Sequence, residues 1–258
     1  MFFEEVTRKI NEALEAFSNS VYDLLEKHRE TLANLAELAL HIKESEEKRE
    51  FLLNHDWLFC CIPDEIITHF LCSKELIIAQ DVDDCIIKFF EEDGAAELKN
   101  MLKTWEDNEC FYSRKHIFEE ALFVHMFGYF NSSTALLTLH TEGVIKDFSR
   151  IMLQNPRWLT KESLSDVDTQ LGALSIDQFD SFLEVSSCLH NWDELKNFIQ
   201  GNFDHKYPEQ SSDFSRNKTA HGLVVAKMGK IDSLKRFLYL NEIYRIFYVI
   251  RSNDNVVG

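Results

Sequence analysis

Within the string Ser215-Arg216-Asn217-Lys218-Thr219-Ala220-His221-Gly222, a guanidinium, a carboxamide and an imidazole fall in a stretch short enough to act together. If the string is helical, Asn217 and His221 are i and i+4 and share a face, and the long side chain of Arg216 can swing to the same side. Arginine is always charged and suits phosphate oxygens, while histidine gives and takes protons near neutrality. The free N–H groups of a first helical turn add partial positive charge, making a seat for a phosphate. The set suits phosphodiester cleavage. Histidine takes the proton from a ribose 2′-hydroxyl or gives one to the leaving 5′-oxygen, and arginine stabilises the extra charge in the transition state, by a route that needs no metal.

Spacing alone carries little information, because Arg49 and His55 repeat the arginine-to-histidine interval elsewhere. There the next residue is Glu50, an acid that would repel phosphate. Charge distribution singles out the first string. The chain has a net charge of −17, which excludes a general nucleic-acid coat, since phosphate binding draws on lysine and arginine. Residues 1–50 hold seven Lys/Arg against twelve Asp/Glu, and residues 81–109 hold three against ten. Residues 213–258 hold eight against four, a balance of +4, so the basic region is the one containing the string; it offers Lys218, Lys227 and Lys230 as RNA contacts. Other sites are weaker. Cys60, Cys61, His69 and Cys72 do not match the usual zinc-ligand spacing. His116 and Glu120 share a helix face as many surface pairs do, with no second pair of matching spacing. Nucleophile motifs and phosphate-cradling glycine loops are absent.

The elements that must position the string are helical. With eight glycines and three prolines in 258 residues, and Leu, Glu, Lys and Phe abundant, the chain is all-α. Ile10, Leu14, Phe17, Val21, Leu24, His28, Thr31, Leu35, Leu38 and Ile42 step by four and three along a seam interrupted at His28 and Thr31. Two readings stand: a long or hairpin-bent helix packed on its own domain, and a dimerisation arm. Further helices are expected over about 64–72, 74–80, 82–92 and 95–106, the break falling at Gly94. Ser113 is expected to cap a helix to about Phe127, Gly128 to stop it, and Asn131 or Ser132 to cap a second running to about Met152, making an antiparallel hairpin. Ser175–Gln178 and Asn191–Glu194 read as capping boxes opening two shorter helices, and Asp232 or Ser233 caps a final one. Acids at the N-terminus and the lack of a membrane-length apolar run point to a cytoplasmic protein, and the scattered cysteines to reduced thiols.

The Arg216-Asn217-x-x-x-His221-Gly222 motif resembles the signature of the HEPN superfamily (higher eukaryote and prokaryote nucleotide-binding). The stretch from Phe111 through His125, Gly128 and Tyr129 to Glu142, Gly143 and Asp147 resembles the helical hairpin that precedes that motif in bacterial members. The likeness covers about 111–153 and 213–250. It implies a HEPN-type helical bundle over 111–258, with a helical insertion at about 155–210 and an acidic N-terminal helical extension over 1–110. It further implies a metal-independent endoribonuclease of stress or phage-defence type, without a cofactor, in which Arg216 and His221 are catalytic, Asn217 supports them and Glu142 orients them. A homodimer whose two motifs share one cleft is implied, as is an antitoxin or other protein partner. Family toxins silenced by adenylylation carry a tyrosine two residues after the histidine, where this chain has Leu223. The alternative is a non-catalytic helical interaction module whose acidic N-terminal helix binds a partner.

Overall fold

Three of the four tryptophans lie at the centre of the fold, and each directs its indole N–H to an oxygen on another element. Trp57 donates to Asp83 at 2.7 Å, Trp105 to Asn241 at 2.9 Å and Trp192 to Asp168 at 2.8 Å. A large ring can thus be buried without an unpaired donor. The computed structural model describes residues 14–15, 17–22, 26–57, 62–73, 77–157, 160–174, 179–201 and 227–254. Among them there is no strand. The α-helices with bounds among the described residues are α1 (Arg29–Asn54), α2 (Asp64–Leu71), α3 (Ala79–Thr104), α4 (Glu109–Tyr112), α5 (Lys115–Met126), α6 (Phe130–Asp147), α7 (Thr160–Gly172), α8 (Phe179–Gly201) and α9 (Lys230–Asp254). The chain divides into two compact units, Met1–Glu47 and Lys48–Gly258.

Of the described positions of the heptad seam in the first unit, Leu14, Phe17, Val21, His28 and Thr31 are exposed and Ile42 is half-buried.

In the second unit α5 and α6 form the expected antiparallel hairpin, and α9 packs along α6. Helix α5 turns Phe118, Ala121, Leu122 and His125 inward, the i, i+3, i+4, i+7 pattern of a core stripe. An aromatic cluster fills the space between the hairpin and α9. Phe111 meets Trp105 at 5.3 Å and Tyr244 at 5.7 Å between ring centres, and Phe148 stacks on Phe247 at 4.3 Å. Leu234, Phe237, Leu238, Ile243, Ile246 and Phe247 of α9 are fully buried. Each such side chain contributes about 1.5–3 kcal/mol by leaving water.

The helix boundaries depart from sequence expectation where a capping side chain is used elsewhere. Asn131 does not cap α6; its carboxamide oxygen accepts the backbone N–H of Met228 at 2.6 Å. Asn191 does not open a helix but lies inside α8, where it donates to the buried Glu242 at 2.8 Å. Ser113 follows α4, and it is Asn108 that caps that turn, accepting from Cys110 at 2.9 Å. Helix α9 starts at Lys230, with Asp232 reaching back to the Gly229 N–H at 2.6 Å, half of a capping box. The box at 175–178 lies outside the described residues.

The expected break at Gly94 is a kink within α3. Asp93, Gly94 and Ala95 all adopt left-handed backbone, with φ of 51°, 69° and 62°. Glycine accepts that conformation freely, whereas an L-residue such as Ala95 is strained there by about 1–2 kcal/mol. The hairpin's second helix also changes winding at its end, where Phe148–Met152 forms a wider π turn.

Candidate functional site

Arg216, Asn217, Lys218 and His221 lie outside the described residues. The chain is described again from Lys227, and the expected partner Glu142 is described. Glu142 sits three turns along α6, buried, with its carboxylate 2.7 Å from the Lys146 ammonium one turn on. Lys227, where the chain emerges from the motif, is exposed. Met228 is then pinned to Asn131 at the start of α6. Lys230 is half-buried, and its ammonium contacts Glu91 at 2.5 Å. Of the residues read from sequence, Lys227 is exposed with no ion pair among the described residues, while Lys230 and Glu142 are both ion-paired.

Lys230 belongs to a buried polar network that ties four helices together where the motif segment ends. Glu91 of α3 accepts from Lys230 and contacts Nε2 of His125 at 3.2 Å, and Nδ1 of His125 meets the Ser233 hydroxyl at 2.8 Å. Ser233 in turn donates to Ser133 of α6 at 2.8 Å. An acid, an imidazole and a hydroxyl in this order resemble a nucleophilic triad. Burial argues otherwise. Ser233 and Ser133 are wholly inaccessible and His125 is 2% exposed, so no substrate carbonyl can approach the hydroxyl. The network is a structural clamp. Burial holds His125 below the ordinary histidine range, with the Lys230 charge acting in the same direction and Glu91 opposing.

At the other end of α6 a second cluster surrounds Gly143. The Arg114 guanidinium lies across this glycine so closely that a Cβ there would stand 2.7 Å from Nη2. Arg114 makes an ion pair with Asp147 and donates to the Cys110 carbonyl at 3.2 Å, and Arg150 reaches the other oxygen of Asp147 at 2.8 Å. His140, one turn before Gly143, is held below the usual range by burial first and then by the Arg114 charge. Burial also drives the Cys110 thiol up to about 12, with the Asp147 carboxylate adding to it. The glutamate–glycine pair thus divides: Gly143 admits Arg114, and Glu142 holds Lys146. Sequence reading did not single out Arg114. The available signal was Gly143 itself, a glycine inside an 18-residue helix that it does not break, which marks a close approach.

The second arginine–histidine interval is used structurally. Arg49 pairs with Glu194 at 3.1 Å, and Nδ1 of His55 is bonded to the Phe51 carbonyl at 2.7 Å. His116 and Glu120 are exposed on α5. Cys60 and Cys61 lie outside the described residues, and among those described no three His, Cys, Asp or Glu side chains converge as a metal-binding group. No described helix is long and apolar enough to cross a membrane.

Comparison of the chain with protein-family models, with curated proteins and with solved structures found no match.

Proposed function

We propose that the protein is a metal-independent endoribonuclease of HEPN type that works as a homodimer. The observation that carries this reading is the Arg216-Asn217-x-x-x-His221-Gly222 string within the basic C-terminal segment of an acidic chain. The all-helical architecture and the α5–α6 hairpin support it. So does chain reach. His221 precedes Met228 by seven residues, and Met228 is fixed at Asn131, eleven residues before Glu142 on α6. Those eleven residues rise about 16 Å along the helix, while seven residues of chain extend to at most about 25 Å. Glu142 is therefore within reach of the motif.

In the proposed reaction His221 takes the proton of a ribose 2′-hydroxyl, O2′ bonds to phosphorus, and the P–O5′ bond breaks. The leaving oxygen receives a proton from His221 of the partner subunit, and the product is a 2′,3′-cyclic phosphate. Arg216 stabilises the added negative charge, Asn217 orients the phosphate, and Lys218 and Lys227 hold the RNA backbone. Pairing two copies brings two basic segments to one cleft, which would let an acidic protein retain RNA. A cytoplasmic location, a role in stress or phage defence and a neutralising antitoxin belong to the same proposal.

The test is RNA cleavage in EDTA by wild type and His221→Ala. Cyclic-phosphate ends from wild type and a loss of at least about 10²-fold in the folded variant are expected; equal activity in the two would remove the reading.

A second reading, a helical interaction module, is favoured by one observation: Leu14, Phe17 and Val21 of the N-terminal seam are exposed rather than packed. It expects no cleavage under any condition, and loss of a bound protein when charges between residues 4 and 47 are reversed.

A further inference from the structure

A cavity of about 630 Å³ opens between the second limb of α3, the Trp105–Tyr112 turn and α5. Its size falls within the range of small-molecule sites. Trp105, Phe111 and Phe118, each 1–2% exposed, make the floor. Phe123 and Met126 stand at the mouth, 61% and 42% exposed, although both are large and apolar. Apolar surface left open beside a concave apolar floor is one form that a ligand-binding groove takes.

The polar groups at the edge specify the rest of that ligand. Lys115 is paired with both lining acids, 2.8 Å from Glu106 and 3.8 Å from Glu119, a group with a net charge of −1. Lys99 and Lys103 are one helical turn apart, exposed, line the cavity, and have no ion pair among the described residues. The lining therefore holds three lysines against two glutamates, a net charge of +1 that suits a monoanion, with Lys99 and Lys103 as the pair not engaged by an acid among the described residues. The walls offer little with which to read a nucleobase, because the Trp105 indole N–H is given to Asn241. Gly94 also lines the cavity, within the left-handed run Asp93–Ala95. Strained backbone of this kind collects at ligand clamps.

We propose that this cavity binds a single-chain amphiphilic carboxylate, with its hydrocarbon against Phe118, Leu122 and Met126 and its head group between Lys99 and Lys103. The site is independent of the Arg216–His221 motif and stands whether or not the chain cleaves RNA. An apolar tail answers the floor, and a monoanion answers the two lysines. Neither a neutral alcohol nor a cationic amphiphile satisfies both.

The test is calorimetric titration of the full chain with dodecanoate and dodecyltrimethylammonium, each below its micelle-forming concentration, and with dodecanol below its solubility limit. Dodecanoate should bind with one-to-one stoichiometry, about tenfold more tightly than the alcohol, and the cationic amphiphile should not bind. Lys99→Gln with Lys103→Gln should erase the preference for carboxylate over alcohol. Met126→Glu should abolish binding by setting a carboxylate among the tail contacts. All three substituted side chains are exposed, so melting temperature and circular dichroism should match wild type. Absence of saturable binding, equal affinity for the three amphiphiles, or binding that survives Met126→Glu would overturn the proposal.

Discussion

Replacing Gly143 by alanine sets two effects of opposite sign against each other. Alanine is favoured over glycine in a helix interior by about 1 kcal/mol. The new methyl, however, would stand 2.7 Å from Nη2, 2.9 Å from Nε and 3.0 Å from Cζ of Arg114, closer than carbon tolerates. The guanidinium must then move away, although it is only 18% exposed and is paired with Asp147 at 10%. Moving it costs a charge-assisted bond worth about 1.5–3 kcal/mol and weakens a second bond, to the Cys110 carbonyl, worth about 1. Asp147 keeps Arg150 at 2.8 Å, which limits the damage. The net loss expected for Gly143→Ala is about 1–2 kcal/mol, seen in denaturant unfolding and as a fall in Tm of about 2–8 °C. The double-mutant cycle makes the reasoning refutable. In an Arg114→Met background the clash has gone and only propensity remains, so Gly143→Ala should stabilise by about 0.5–1 kcal/mol. A Gly143→Ala protein as stable as wild type, or an equal loss in both backgrounds, would refute this account.

Three further outcomes follow from the same geometry. His125 is held below its ordinary value of 6.5 by burial, so below that pH the unfolded chain binds more protons than the folded one. Stability should accordingly fall as pH drops from about 6.5 toward the depressed folded value; His125→Gln should flatten this limb in pH-dependent melts, leaving the slope that His140, shifted the same way, contributes. Cys110, fully buried and with its thiol raised to about 12, should resist iodoacetamide in the native protein together with the equally buried Cys188, while the exposed Cys72 reacts, as peptide mass mapping would show. Ser233→Ala leaves a ring nitrogen of His125 and the Ser133 hydroxyl without their shared partner inside the core, and should lower unfolding free energy by about 1–3 kcal/mol.

Helix type and approximate extent were legible without coordinates because they depend on local chemistry. Scarce glycine and proline and 3.6-residue apolar spacing dictate helices wherever they occur, and the α5 stripe from Phe118 to His125 is readable directly. The breaks at Gly94 and Gly128 were also legible, since both glycines take positive φ, at 69° and 80°. Cap assignments were not. Asn131, Asn191 and Ser113 have side chains suited to capping, yet Asn131 serves Met228 and Asn191 serves Glu242 across sequence separations of 97 and 51 residues. Local preference is worth about 1 kcal/mol, and a buried partner from another element outweighs it.

The sequence by itself determined that the chain is helical, that its charge is segregated, and that an arginine, an asparagine and a histidine stand at spacing suited to phosphate chemistry. Only the tertiary structure decided which polar residues are committed. Lys230 is engaged by Glu91, Glu142 by Lys146, and His125 is sealed beneath Ser233, while Lys99 and Lys103 are left facing an apolar cavity. The reason is physical: residue type and spacing set what a side chain can do, whereas burial and partners drawn from distant helices set its charge and its access to solvent.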